Sequence, residues 1–286
     1  MAVYERAWRP YAGRLTPMRR RFLVVTRYAL AEAFSSRLFT AFYAACFLPS
    51  LLALFLIYIS HNLALLEQLG LTREFMGGLT LVFFRLLFLW QAIPGFFLMA
   101  ILAPGLIAPD LANSALPLYL SRPIDRRDYV LGKLAALFLV VSPPTWVMGL
   151  ALFLLQAVEE GGGWGVTNWR IGLAYLVGHL VWILVISLLG LAISAWVRYR
   201  PAALGALFAL LFVLSAFGSA VNGITRSSIG DIVHLTRAIA SVVQHLFGAP
   251  TSSGLPVAVN WLTLAVVGLL SIVVLNRKLR AHEVVR

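Results

Sequence analysis

The chain has 286 residues, of which 61% are hydrophobic and only 12% charged, with a formal net charge of +12. A soluble domain of this length carries about 25% charged residues, so a water-soluble globular fold is excluded and lipid is the solvent. The positive excess sits between apolar runs as a topology signal, so no nucleic-acid partner is expected.

Residues 1–37 read as a cytoplasmic tail followed by a basic interfacial helix. The first 17 are polar and Arg-rich, and Phe22–Val25 is too short for the apolar region of a cleaved signal. Residues 18–37 predict a helix lying along the membrane surface, with Leu23, Leu30 and Phe34 on one side, Arg27 among them, and arginines near anionic lipid heads.

Six apolar runs follow: Leu38–Ser60, Leu86–Ala108, Leu134–Val158, Ile171–Val197, Ala202–Thr225 and Leu255–Leu275. Each reaches the roughly 20 residues needed to cross a hydrocarbon layer of about 30 Å. Uninterrupted runs without two-residue alternation select helices over a barrel. The expected fold is therefore an all-α integral membrane protein of six helices. Its spans lie at 38–60, 80–108, 134–158, 171–197, 202–225 and 255–275, inside a transmembrane domain 38–276, and a cytoplasmic tail 277–286 follows.

Of the 23 Lys and Arg residues, eighteen fall on the side that holds both termini and the second and fourth loops. The positive-inside rule puts that side, and both termini, in the cytoplasm. On the other side Arg85 lies close to the end of the second span and reads as a snorkelling arginine. Pro94-Gly95 and Pro143-Pro144 fall near mid-membrane and predict kinks. Residues 159–169, EEGGGWGVTNW, read as a Gly turn with two interfacial Trp.

The last outer loop, Arg226–Pro256, predicts an amphipathic helix. Ile229, Ile232, Val233, Ile239, Val243, Leu246 and Phe247 take one face, and Asp231, His234, Arg237, Ser241, Gln244 and His245 the other. Gly248 and Pro250 end it.

Catalytic patterns are missing from the sequence. His179 is the one His well inside a span, no intramembrane acid pair occurs, and there is no HExxH, GxSxG or phosphate-binding Gly-Lys-Ser/Thr motif. With a single cysteine, Cys46, no internal disulfide forms. Two polar stripes stand out: Ser215, Ser219 and Asn222 along the fifth span, and His179, Ser187, Gly190 and Ser194 along the fourth. Small and hydroxyl residues serve close helix packing; the alternative is the lining of a pathway, and both readings stay open.

The most informative segment is Leu120–Lys133, LSRPIDRRDYVLGK, a short polar stretch between the second and third runs. Asp110–Ser121 is expected to form a short surface helix broken at Pro117, and Asp125-Arg126-Arg127-Asp128 to start the third span. These residues resemble the permeases of the type-2 ABC exporter family. That family typically has an acid, a Gly-Thr-Leu-Glu-Leu-Leu-like stretch, then Ser-x-Pro-x-Ser-Arg-x-Glu-Tyr and Gly-Lys. Here Asp110 matches the acid, Leu118–Pro123 the helix end and Arg126–Lys133 the start of the next span. Asn113-Ser114-Ala115 replaces the usual Gly-Thr region and Pro117 stands where Glu is frequent.

The resemblance implies a permease subunit of an ATP-driven exporter, paired with a second permease copy or a related permease. It implies no cofactor in this chain, since ATP and Mg belong to a separate cytoplasmic ATPase subunit. It further implies that Asp110, Arg122, Asp125, Arg126 and Arg127 form the ATPase-coupling interface. Ser215, Ser219 and Asn222 are candidates to line the path, and a bacterial-type cytoplasmic (inner) membrane is the expected location. The alternatives are an ATP-independent membrane scaffold or intramembrane enzyme, or a subunit that transmits force without conducting cargo.

Overall fold

A computed structural model describes residues 17–62, 66, 68, 81–120, 124–197 and 199–280, and among these every regular element is helical. Helix α1 (Arg21–Ser35) leads into α2 (Arg37–Ala45) and α3 (Leu48–His61), which together make the first span. They are divided at Cys46-Phe47, because Pro49 in the first turn of α3 has no N–H to continue the α2 ladder. The second span is α4 (Leu81–Ala112), which runs on through Pro94, Pro104 and Pro109. A short α5 (Leu116–Leu120) follows, then α6 (Arg126–Val141), a wide turn at Pro143–Val147, and α7 (Met148–Glu160). The turn is the break expected at Pro143-Pro144: Thr145 leaves helical geometry (φ −106°, ψ −106°), and its hydroxyl donates to the Val141 carbonyl at 2.6 Å.

After three glycines with positive φ, Gly161 to Gly163, come α8 (Trp164–Thr167), α9 (Trp169–Trp196) and α10 (Arg200–Thr225). The amphipathic α11 (Leu235–Leu246) and the sixth span, α12 (Val257–Arg280), complete the chain. Six helical stretches are long and apolar enough to cross a membrane: Arg37–His61, Leu81–Ala112, Arg126–Glu160, Trp169–Trp196, Arg200–Thr225 and Val257–Leu279.

Helix α9 is the pole of the bundle. It is the most buried span and packs against α4 above all, then α12, α6, α10 and α11. Its small and hydroxyl residues explain the closeness. A Cβ on Gly190 would lie 2.8 Å from the Ala103 Cβ, and the Ser187 hydroxyl contacts the Met99 sulfur. Ser194 inserts into the α4 ladder, its Oγ accepting from Ala108 N at 3.0 Å and donating to the Pro104 carbonyl at 3.1 Å. In the fourth span, Ser187, Gly190 and Ser194 are therefore packing residues. Spans α10 and α12 are the least buried and turn most of their surface outward.

Three local readings differ from the structure. Asp110 lies inside α4 and not on a separate surface helix, because α4 continues to Ala112 before Asn113-Ser114 turns the chain. Pro117 opens α5 where its missing N–H costs nothing, so it starts that helix and does not break it. The amphipathic outer helix begins only at Leu235, preceded by a 3-10 turn at Ile229–Ile232. That break resets the helical phase: Ile229, Ile232 and Val233 are exposed, while Asp231 and Ser241 are buried.

Candidate functional site

The basic end of the bundle carries Arg20, Arg21, Arg126, Arg127, Arg200, Arg277 and Lys278. These meet there because α1 lies across the start of α6, and because Arg126 Nη1 reaches Asn276 Oδ1 on α12 at 3.5 Å. Arg200 likewise donates to the Ile101 carbonyl of α4 at 3.3 Å.

The start of α6 is rigidly mounted. Asp128 in its first turn favours the positive end of the helix dipole, and its carboxylate accepts the Asp125 N–H at 3.5 Å. One turn further, Asp110 Oδ2 accepts from Tyr129 Oη at 2.6 Å and pairs with Lys133 Nζ at 2.9 Å. Lys133 is only 4% exposed, so this pair is a brace between α4 and α6 and not a surface charge. On the opposite face of α6, Gly132 lets α1 approach to backbone contact. A Cβ there would sit 2.6 Å from the Val25 Cβ and 2.7 Å from the Phe22 carbonyl oxygen. Thr26 Oγ1 completes the joint by donating to the Gly132 carbonyl at 3.0 Å. The face of α1 that packs is therefore Val25, Thr26 and Ala29, while Leu23 and Phe34 stay exposed.

Of the expected coupling residues, Asp125 and Arg127 are exposed at this mount, Arg126 is half-buried beside α12, and Asp110 lies beneath them in the brace. Arg122 lies outside the described residues. Arg127 makes no ion pair or hydrogen bond with any described residue. Tyr129, Gly132 and Lys133 stand inside the Leu120–Lys133 segment, but nothing in the sequence alone assigns them a role. The sequence reading starts the third span just after Lys133; the structure puts Lys133 two turns into α6, where a buried cation needs a partner.

At the far end, the fifth-span stripe divides. Asn222 Oδ1 accepts from Gly230 N at 2.7 Å, and its Nδ2 donates to Asp231 Oδ1 at 2.7 Å. Gly218 allows this return, because a Cβ there would lie 2.5 Å from the Gly230 carbonyl oxygen. Asp231 is buried and also receives Arg237 Nη1 at 2.5 Å, Ser253 Oγ at 3.1 Å and Gly254 N at 3.1 Å. Burial alone would raise the Asp231 carboxyl, but these donors outweigh it and hold its pKa below the ordinary value. His234, an acceptor from Arg237 N, has its pKa lowered by burial and by the Arg237 charge. Ser215 pairs with Thr236 at 3.1 Å, and Ser219 is exposed.

Ser215 also lines a cleft of about 760 Å³ bounded by α4, α9, α10 and α11. Its walls include Phe96, Phe97, Trp182, Phe208 and Phe212, and its polar residues are Arg85, Ser215, Thr236 and Gln244. The cleft comes from helix arrangement, and no sequence motif announces it.

Residues 92–276, from within α4 to one turn short of the end of α12, match the family model described as ABC-2 family transporter protein. The chain belongs to the ABC-2 transporter family. No curated protein matches it significantly. As an ABC-2 member with six apolar spans, it is a multi-pass membrane protein of the permease type, a transport subunit. Both the basic-end mount from Asp110 to Lys133 and the far-end cap fall within the matched stretch, whereas α1, which clamps the mount, precedes it.

Proposed function

We propose that this chain is the membrane-spanning half of an ATP-driven exporter, docked through its basic end to a separate cytoplasmic ATPase that carries ATP and Mg. The basic end then faces the cytoplasm of a bacterial-type inner membrane, in keeping with the positive-inside rule. A second permease copy, or a related permease, pairs alongside. Helix α10 suits such a neighbour because Ala202, Gly205, Ala209, Ala216, Ala220 and Gly223 are small residues on an outward-facing side.

The carrying observation is the mount. Exposed charges at Asp125 and Arg127, with Arg126 beside them, stand on a helix start that is braced by Asp110–Lys133 and clamped by α1. Force applied to a floppy loop would dissipate. Applied here, it reaches α4, α6 and α1 through short, buried contacts. Asp110 therefore acts as a positioning residue for the docking surface, and Asp125, Arg126 and Arg127 touch the partner. The pathway uses the cleft between the second and fifth spans, with Ser215 on its wall.

The test is gentle purification from native membranes with identification of co-purifying proteins. A stoichiometric nucleotide-binding subunit is expected. The double variant Arg126→Glu, Arg127→Glu should reduce its retention at least tenfold, or leave an assembled complex whose ATPase activity no longer responds to the permease. A preparation without an ATPase, in detergent and in nanodiscs alike, removes the reading. Unchanged assembly and coupling in the double variant removes the docking assignment.

A further inference from the structure

The geometry points to the cleft between α4, α9, α10 and α11 as the binding site for a single anionic phospholipid-like molecule, its acidic head at Arg85 and its apolar chain along the aromatic wall. This names the cargo class for the pathway proposed above and rests on that reading.

Three observations carry it. The first is the chemistry at the polar end. Arg85 is half-buried on the cleft wall and has no ion pair or hydrogen bond with any described residue. A guanidinium presents a planar fork of donors matched to phosphate or carboxylate oxygens. Among the described residues no acid lines the cleft, so none of them neutralises Arg85 or receives the ammonium of a zwitterionic head. A net-negative head is therefore favoured over a neutral one.

The second observation is length. Phe96 and Phe97 follow Arg85 by eleven and twelve residues on the continuous helix α4. At 1.5 Å per residue they lie about 17 Å deeper along its axis. A single leaflet contributes about half of the roughly 30 Å hydrocarbon layer. The cleft thus spans one leaflet, from head depth to chain end, as an inserted lipid does.

The third is the wall. Phe96 and Phe97 meet Phe208 with ring centroids 5.4 and 6.1 Å apart, and Phe208 stacks on Phe212 at 6.4 Å. These rings give a stiff apolar surface at low entropic cost. Helix α11 covers the polar end through Thr236, Ile239, Val243 and Gln244, so an occupant lies in a groove along α4 that is open to the lipid at Leu89 and Ile93 and roofed at its head.

Trp182 on the cleft wall supplies the readout. The full chain is placed in phosphatidylcholine nanodiscs containing a small fraction of lipid with brominated chains, either phosphatidylglycerol or phosphatidylcholine, and no nucleotide. Quenching that disappears in Trp182→Phe is the cleft signal. The expected result is half-maximal cleft quenching at about tenfold lower mole fraction of the anionic lipid, with the preference lost in Arg85→Gln and partly kept in Arg85→Lys. Equal quenching by both heads overturns the anion assignment. Quenching by neither shows a cleft covered by protein, such as a second copy, and overturns the lipid site altogether. If Arg85→Gln fails to fold, the comparison of heads on the unaltered chain still decides. Because binding is read without nucleotide, a negative result leaves co-purification of the ATPase untouched, so the two readings fail separately.

Discussion

At the far end of the bundle Asp231 is 2% exposed and side chains from α10, α11 and the residues before α12 converge on it, whereas at the basic end Arg127 stands exposed without a partner among the described residues. Both ends hold acids and arginines close together, yet one set closes on itself and the other is left open above a buried brace. Polar groups satisfied internally fix a shape. Charges left over on a rigid support are available to another molecule. Under the proposed docking, the open end is where force would enter this permease, and the closed end is where the helices are tied against it.

The brace is the place to break the open end. Asp110→Ala leaves Lys133, 4% exposed, without its counter-charge. Removing one partner of a buried pair costs about 3–5 kcal/mol. The variant should lose cooperative thermal unfolding near the parent temperature and retain less ATPase. A parent-like melting curve would mean that Lys133 finds another acceptor and the brace is dispensable. A smaller effect is expected at the clamp. Gly132→Val drives side-chain atoms into Val25 and the Phe22 carbonyl, an overpacking cost of about 1–3 kcal/mol. Cross-linking between engineered cysteines on α1 and α6 should fall in this variant while the helices of the far end stay in register. An unchanged cross-link yield would free α1 from any part in transmission.

The far end is sharpened by pH. The folded state favours neutral His234, whose pKa is lowered, so its contribution is complete above the ordinary His value of about 6.5 and is lost as the pH falls through that value to the native one. It also favours ionised Asp231, whose stabilisation is present above about pH 3.9 and is lost as the pH falls through the depressed native value. Amide exchange in 226–254 should therefore rise in two stages on acidification, with the first stage missing in His234→Ala. Exchange that stays flat from pH 7 to pH 4 would show that His234 does not titrate against the cap, and exchange still flat on further acidification would show the same of Asp231. Asn222→Leu mimics the acid end at neutral pH, since it strips Asp231 of one donor and leaves Gly230 N without its acceptor, at about 1–3 kcal/mol.

Much of this architecture was legible from composition alone. Run length gave six spans, and Pro143-Pro144 gave the break in the third, whereas Pro94-Gly95 stays inside the continuous helix α4. What escaped depends on how helices are rotated against each other. The pairing of Asp110 with Lys133 and Tyr129 requires the facing angle of α4 and α6. The Gly132 contact requires knowing that α1 doubles back onto α6. A helical wheel assumes one unbroken helix, so the break before Leu235 misassigned Ile229, Ile232 and Asp231 together.

The fifth-span stripe shows the same limit at the smallest scale. Ser215, Ser219 and Asn222 are spaced as one face, yet the structure gives Ser215 to the cleft wall, Asn222 to the cap and Ser219 to the exposed surface. Ser219→Leu should then change stability by less than about 0.5 kcal/mol, as substitutions outside packed or hydrogen-bonded positions do. Its effect belongs instead to whatever meets α10. If a second permease approaches that side, the added bulk should weaken pairing in nanodiscs without moving the melting temperature. If pairing is unchanged as well, Ser219 faces lipid and the neighbour contacts the bundle elsewhere, with α12 the other outward-turned span.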